Sequence, residues 1–396
     1  MDNAEAGASL LAAEATRATA ALPDIQYEHT PGVIDLTWGH PDPSSFAVGA
    51  VAEAATAVLA AYGWQALTYG APCGAASTRE AVAAHLTGTD AGVDAADVII
   101  TGGSSGGLDL LLTVLAVPGD VVLVEQPTYF LALRMFADHG LCVVGVRSDD
   151  IGPSVDGFAS AAATARADGR TVFLYLVPTF ANPTGRCLPL ERQRQLLEVA
   201  RSYGVHVIDD DVYRDTTESA PPSMWSVDRD TVLRLGSFSK SLSPGLRVGF
   251  LTARPELIER IGGCGLLDSG GGVNHFASMV VGELMRSGRF DEIASAGQQR
   301  YAQRRAALAA ALDPALFEFV VPGGGYFLWL ALPIGRSSRQ VVAAAREHGV
   351  LVSDGRNFFV DEPERGAVRV SFSMLDASLL GEGAARLNRA VGSLVA

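Results

Sequence analysis

Val232-Leu233-Arg234-Leu235-Gly236-Ser237-Phe238-Ser239-Lys240-Ser241-Leu242-Ser243-Pro244-Gly245-Leu246-Arg247 is the stretch on which the fold turns. It opens with Val232–Leu235, an apolar run of the length of one buried strand, and passes into a turn rich in Ser, Pro and Gly. Lys240 stands in that turn and is the only lysine of the chain; every other basic side chain is arginine or histidine. A GC-rich coding bias accounts for a general preference for arginine, but not for the one lysine that remains. Arginine replaces lysine in most surface roles, yet a guanidinium cannot form a Schiff base. A lone lysine after a strand, with hydroxyls at Ser237 and Ser239 and the guanidinium fork of Arg247 nearby, points to amine chemistry beside a phosphate.

The same sequence pattern, a strand followed by a polar turn, recurs upstream. Strands are predicted at Val98–Thr101, Val121–Glu125, Cys142–Val146, Val172–Val177, Val205–Asp209, Val232–Leu235 and Val248–Leu251. Helix-length segments such as Gly106–Ala116, Tyr129–His139 and Leu190–Tyr203 separate several of them. Strands spaced by helices require right-handed crossovers, so the expected fold class is α/β, a mostly parallel sheet sandwiched by helices. Near Arg289 the pattern changes. A long helix over Asp291–Leu312 leads into strands at Phe317–Val321, Tyr326–Leu332 and Val368–Phe372, with helices at Ser338–His348 and Ala377–Val391. That is a smaller α+β domain. The expected division is an N-terminal arm joining the small domain (1–45), a large domain (46–289) and a C-terminal small domain (290–396).

Composition narrows the function. The chain has 396 residues, 48% hydrophobic and 19% charged, which is apolar material for a large core or two adjoining ones. Its formal net charge of -14 repels nucleic-acid backbones and anionic lipid. Met1–Leu22 is Ala-rich and acidic, without a basic leader, and reads as an amphipathic helix or loose arm rather than a signal peptide. No apolar run is long enough to span a bilayer. Cys73, Cys142, Cys187 and Cys264 lie far apart without CxxC pairs, so neither a metal site nor a disulfide framework is expected. A cytoplasmic enzyme fits these features.

Ligands of open parallel sheets bind beyond the carboxyl ends of the strands. After the first predicted strand comes Gly102-Gly103-Ser104-Ser105-Gly106-Gly107, entering a helix; small residues and a helix N-terminus suit one phosphate, while the spacing fits neither a dinucleotide loop nor a P-loop. After the second comes Gln126-Pro127-Thr128-Tyr129, whose tyrosine is either a core aromatic or a ring to stack on. Asn182-Pro183-Thr184-Gly185 makes a turn, or places an amide against a ring oxygen. Asp210-Asp211-Val212-Tyr213 is either a solvated acidic loop or a carboxylate–phenol pair; a carboxylate beside a pyridinium nitrogen keeps the ring an electron sink. Together with Lys240, these five strand ends match the needs of pyridoxal phosphate item by item.

At this point the sequence closely resembles the class I/II aminotransferases of fold type I, the aspartate-aminotransferase-like family. The resemblance rests on Tyr69-Gly70, Gly103-Ser104-Ser105, Pro127-Thr128-Tyr129, Asn182-Pro183-Thr184-Gly185, Asp210 to Tyr213, and Ser237-Phe238-Ser239-Lys240 with Arg247. It continues in Gly324-Gly325-Tyr326-Phe327 and Val368-Arg369-Val370-Ser371-Phe372, and covers the chain from about Ile34 onward. The resemblance implies that Lys240 binds pyridoxal 5'-phosphate as a Schiff base and shuttles the Cα proton. Asp210 would pair with the pyridine nitrogen, Tyr213 and Asn182 with the ring oxygen, and Ser104, Ser105, Ser237 and Arg247 with the phosphate, while Tyr129 stacks. Arg369 would grip the substrate carboxylate, with Gly39 and Asn182 beside it, unless Arg369 belongs to a structural salt bridge. A homodimer with shared sites is implied, Tyr69 reaching the partner's phosphate. Some regulators carry this domain behind a winged helix, but only an acidic arm precedes Ile34, so no nucleic-acid partner is expected.

Two features depart from the family's pattern. Gly270-Gly271-Gly272 stands where many relatives place bulkier residues, which would enlarge the pocket or loosen a loop. His40, in Trp38-Gly39-His40-Pro41, is a second acid/base or simply a loop residue. The expected reaction is transamination between an amino acid and its 2-oxo acid. β-Elimination or oxidative deamination or decarboxylation of a modified amino acid is the alternative, because the same cofactor serves each.

Overall fold

The computed structural model describes residues 30–88, 90, 92–217 and 219–394; the arm at Met1–Leu22 lies outside them. All elements named below belong to the compact unit Asp35–Ala396. Seven strands form the main sheet: β1 (Val98–Thr101), β2 (Val121–Gln126), β3 (Cys142–Arg147), β4 (Val172–Leu176), β5 (His206–Asp210), β6 (Val232–Ser237) and β7 (Gly249–Thr252). Their order is β1-β7-β6-β5-β4-β2-β3. The five neighbours β6, β5, β4, β2 and β3 run parallel. β7 is antiparallel to both β6 and β1, so β1 points the same way as the parallel five.

The central strands are buried along almost their whole length, as a sheet covered by helices on both faces must be. Alternate residues show it. Val121 and Leu123 of β2, Val172, Leu174 and Leu176 of β4 and Val207 of β5 pack in one cluster with Phe158, Leu196 and Leu197 from helices Val155–Ala167 and Leu190–Tyr203. Their neighbours Val122, Phe173, Tyr175 and Ile208 are equally buried. Edge strand β3 instead alternates exposed and half-buried positions over Cys142–Gly145, with Val146 buried.

A second, antiparallel sheet is built from β8 (Phe327–Ala331), β9 (Ser353–Asp354) and β10 (Ala367–Ser371), in the order β9-β10-β8. Its register sets Arg369 opposite both Trp329 and Ser353. The strand expected at Phe317–Val321 does not form. Only Glu318 pairs, with Ala331, through an isolated bridge, because Val320 and Val321 are exposed and Pro322 ends the run before a buried face can develop. A helix expected from Gly106 begins at Gly103, since Gly103 takes φ +79° and turns the chain straight off β1. Gly103, Ser104 and Ser105 are therefore its first turn and not a preceding loop.

The turn that follows β5 is held by buried charge. Arg234, on β6, pairs with Asp90 and, at 3.0 Å, with Asp211; Arg214 pairs with the same Asp211 oxygen, Oδ2. Thr216 donates to the Tyr213 carbonyl and accepts from the Gly325 backbone N–H at 2.9 Å, tying this turn to the loop before β8. Arg234→Ala would leave two buried carboxylates undercompensated and should cost about 3–5 kcal/mol of stability. The thermal unfolding midpoint of the purified protein measures it, and an unchanged midpoint would show that the network carries no such load.

Candidate active site

Lys240 lies just beyond β6, and its Nζ donates to the Gly39 carbonyl at 2.7 Å. That carbonyl comes so close because residue 39 lacks a side chain; a Cβ there would stand 2.5 Å from the Phe327 ring. From the opposite side the Tyr326 hydroxyl donates to the Lys240 carbonyl at 2.5 Å, with the Tyr301 hydroxyl 2.9 Å away. Burial, then the positive charge of Arg369, hold the pKa of the Lys240 ammonium down to about 8; Asp210 opposes them and Arg247 adds to them. The amine is thus far more available as a neutral nucleophile than a surface lysine.

Asp210 ends β5 as its last residue, rather than following it. One carboxylate oxygen accepts from the Tyr175 hydroxyl at 2.6 Å; the other, Oδ1, is buried without a hydrogen-bond partner. Burial raises the pKa of this carboxyl to about 6. An orphaned buried acceptor costs about 1–3 kcal/mol, so the position is built for a donor, and the N–H of a pyridinium ring is one. Tyr175 was absent from the sequence candidates. The available signal was its identity: the one polar group inside an otherwise wholly apolar buried strand is the Tyr175 hydroxyl, which needs a partner.

Arg369 of β10 is 5% exposed, and no carboxylate among the described residues pairs with it. Its Nη1 donates to Asn182 Oδ1 at 2.7 Å, and its Nη2 to the Thr37 carbonyl at 2.6 Å and to Ser353 Oγ at 3.2 Å. Nε is buried without a partner. The rings of Phe327 and Phe358 flank the guanidinium at 4.0 and 4.8 Å. Burial lowers its pKa to about 10. The structural salt bridge considered from the sequence is not there. Asn182 also hydrogen-bonds Tyr213, whose hydroxyl burial holds well above its ordinary value. Tyr129 is pushed up to about 12 by burial and then by Asp210, against Arg369 and Arg247, which puts its hydroxyl in the same electrostatic neighbourhood.

The remaining candidates form an anion cradle. Helix Gly103–Leu115 presents free N–H groups at its start, with Ser104 half-buried and Ser105 exposed there. Arg247 donates to the Gly102 carbonyl at 2.9 Å and lies 3.5 Å from Ser239 Oγ, while Ser237 Oγ accepts from the Ser239 N–H at 3.1 Å. A Cβ at residue 103 would sit 2.8 Å from the Arg247 guanidinium, so glycine keeps the cradle open. Tyr69 stands apart, 81% exposed, its ring over Gly270, where a Cβ would come within 2.6 Å. His40 packs beside Trp38, and burial followed by Lys240 lowers its basicity. Among the described residues no group of His, Cys, Asp and Glu is arranged to hold a metal, and no helix is long and apolar enough to cross a membrane.

Comparison with known proteins agrees with this geometry. Residues 31–387 match the family model for aminotransferase class I and II. The chain is 34% identical to the 2-aminoadipate transaminase of Thermus thermophilus, covering 94% of this chain and 93% of the relative. It is 30% identical to aromatic-amino-acid aminotransferase 1 of Thermococcus litoralis, covering 92% and 89%. Among solved structures, the alpha-aminoadipate aminotransferase of Thermus thermophilus, complexed with N-(5'-phosphopyridoxyl)-L-leucine, superposes with a TM-score of 0.81 at 33% identity over 92% of this chain and 93% of that one. The chain is a pyridoxal-phosphate-dependent enzyme and belongs to the class I and II aminotransferase family.

Proposed function

We propose that the enzyme transfers the amino group of an α-amino acid to a 2-oxo acid, with the cofactor held covalently through the Lys240 amine and the substrate carboxylate gripped by Arg369. The observations that carry the reading are Asp210 Oδ1, buried without a donor, and the Arg369 guanidinium, buried without a carboxylate and with its Nε unpartnered; one suits a ring N–H and the other a carboxylate. Pyridoxal phosphate supplies a protonated ring that draws electrons from the substrate Cα. Asp210 would keep that ring protonated, Tyr213 and Asn182 would meet its phenolic oxygen, and Tyr129 would stack on it. Ser104, Ser105, Ser237, Ser239, Arg247 and the Gly103 N–H hold the phosphate. Lys240 moves the proton at Cα. The lyase and oxidative readings have no counterpart among the relatives named above. Those relatives' names make 2-aminoadipate and aromatic amino acids the first substrates to try.

The proposal includes a division at 1–45, 46–289 and 290–396, and a homodimer. Trp64, Leu67 and Tyr69 are 75, 69 and 81% exposed, an apolar and aromatic group suited to burial against a second copy. Sedimentation should give the mass of two chains, and Tyr69→Phe should weaken cofactor retention; a monomer with full retention would refute the shared site.

The visible band of the bound cofactor should bleach on adding an amino acid and return on adding a 2-oxo acid. Lys240→Ala should lack that band, and an unchanged spectrum would remove Lys240 from its role. Cofactor uptake by the apo-protein should quicken as pH rises through about 8, because only the neutral amine adds to a carbonyl. Arg369→Lys, which loses the bidentate fork, should lower kcat/KM for the amino acid about 10–100-fold while cofactor affinity holds. Equal losses for cofactor and substrate would argue that Arg369 only supports the fold.

A further inference from the structure

The opposite edge of the main sheet, where the parallel strands begin, holds a cavity of about 300 Å³ lined by His206, Arg229, Arg254, Arg260, Asp230 and Thr231, among others. His206 is the first residue of β5, Arg254 follows β7, Arg260 lies on helix Pro255–Gly262, and Arg229 precedes β6. Three arginines and a histidine thus meet in one hollow of a chain whose formal net charge is -14. The charge of two of these arginines is not neutralised locally. Neither Arg254 nor Arg260 makes an ion pair with a described carboxylate, although Glu256 and Glu259 lie on the helix that follows Arg254 and carries Arg260; Arg260 donates to the Val114 carbonyl, at 3.3 Å. Arg229 is held in place by its guanidinium lying 4.4 Å over the Trp225 ring and by a 2.9 Å bond to the Gly92 carbonyl. Asp228, close by in sequence, is engaged by Arg201 at 3.1 Å. Asp230 is the carboxylate that lines the hollow, and it is exposed.

We propose that this cavity binds a small phosphate-bearing anion at a site separate from the active site. Guanidinium forks converging from different elements suit an anion with several acceptor oxygens, and a tetrahedral phosphate offers them in directions a single carboxylate does not. The volume admits a phosphate with a short organic remainder, and the net charge of the chain disfavours a long nucleic-acid strand. His206 reports the same field: after burial, the charges of Arg254, Arg166 and Arg260 are what lower its basicity. The site faces away from the Gly103–Arg247 cradle, since His206 and Asp210 are the two ends of one strand.

The test is calorimetric titration of the cofactor-loaded enzyme with inorganic pyrophosphate at constant ionic strength. Loading the enzyme first fills the active-site cradle. One saturable site per chain is expected, weakened about tenfold or more when Arg254→Gln and Arg260→Gln are combined. Both arginines are exposed, and the visible cofactor band of the variant checks that it is folded. His206→Gln, which leaves both guanidiniums in place, should weaken binding less than the double variant. No saturable heat, undiminished affinity in the double variant, or binding that vanishes once the cofactor is saturating would each overturn the proposal.

Discussion

Arg369 is a guanidinium buried without a carboxylate, and the arrangement of the site follows from keeping it charged there. Three oxygens (Asn182 Oδ1, the Thr37 carbonyl and Ser353 Oγ) and two aromatic faces replace water around it. None of these carries a formal charge, so the positive charge of Arg369 is left for something that enters. A salt bridge to a resident Asp or Glu would have been more stable and chemically useless.

That retained charge acts on its neighbours. Together with burial it lowers the proton affinity of Lys240, and it opposes the rise at Tyr129 that Asp210 promotes. Asp210 is tuned in the other direction, since burial favours its neutral form until a cationic donor arrives. Groups with displaced proton affinities meet in one dry place, the usual sign of a site arranged for proton transfer. They arrive from different elements: Lys240 from the end of β6, Asp210 from β5, Asn182 from the turn after β4 and Arg369 from the second sheet. Buried ion pairs behind the site, Arg234 and Arg214 with Asp211, hold the turn that carries Tyr213.

Much of this was legible in the chain. All seven strands of the main sheet were readable: those covered on both faces must be short, continuous apolar runs, and edge strand β3 is legible from its β-branched valines although it is partly exposed. The errors fell where local pattern and burial part company. Phe317–Val321 has a strand's composition but no partner face, and Gly103 begins a helix that its glycines argued against. Tyr175 escaped because an aromatic in a buried strand announces burial and not what its hydroxyl touches. The basic hollow at His206 was invisible, since Arg229, Arg254 and Arg260 are spread along the chain among acidic residues and only the ends of β5, β6 and β7 gather them.

By itself the sequence determined the class of fold, the family and the residue types available to hold a phosphate, a ring and a carboxylate. For the fold class and the residue types, backbone periodicity and functional-group chemistry sufficed because they are local properties; the family came from the resemblance of the ordered motifs around the single lysine. Only the tertiary structure decided that Arg369 lacks an acidic partner, that Asp210 keeps one unmet oxygen and that Gly39 lends its carbonyl to Lys240. Those facts depend on which groups meet after residues hundreds of positions apart are brought together, and on how much water is excluded where they meet.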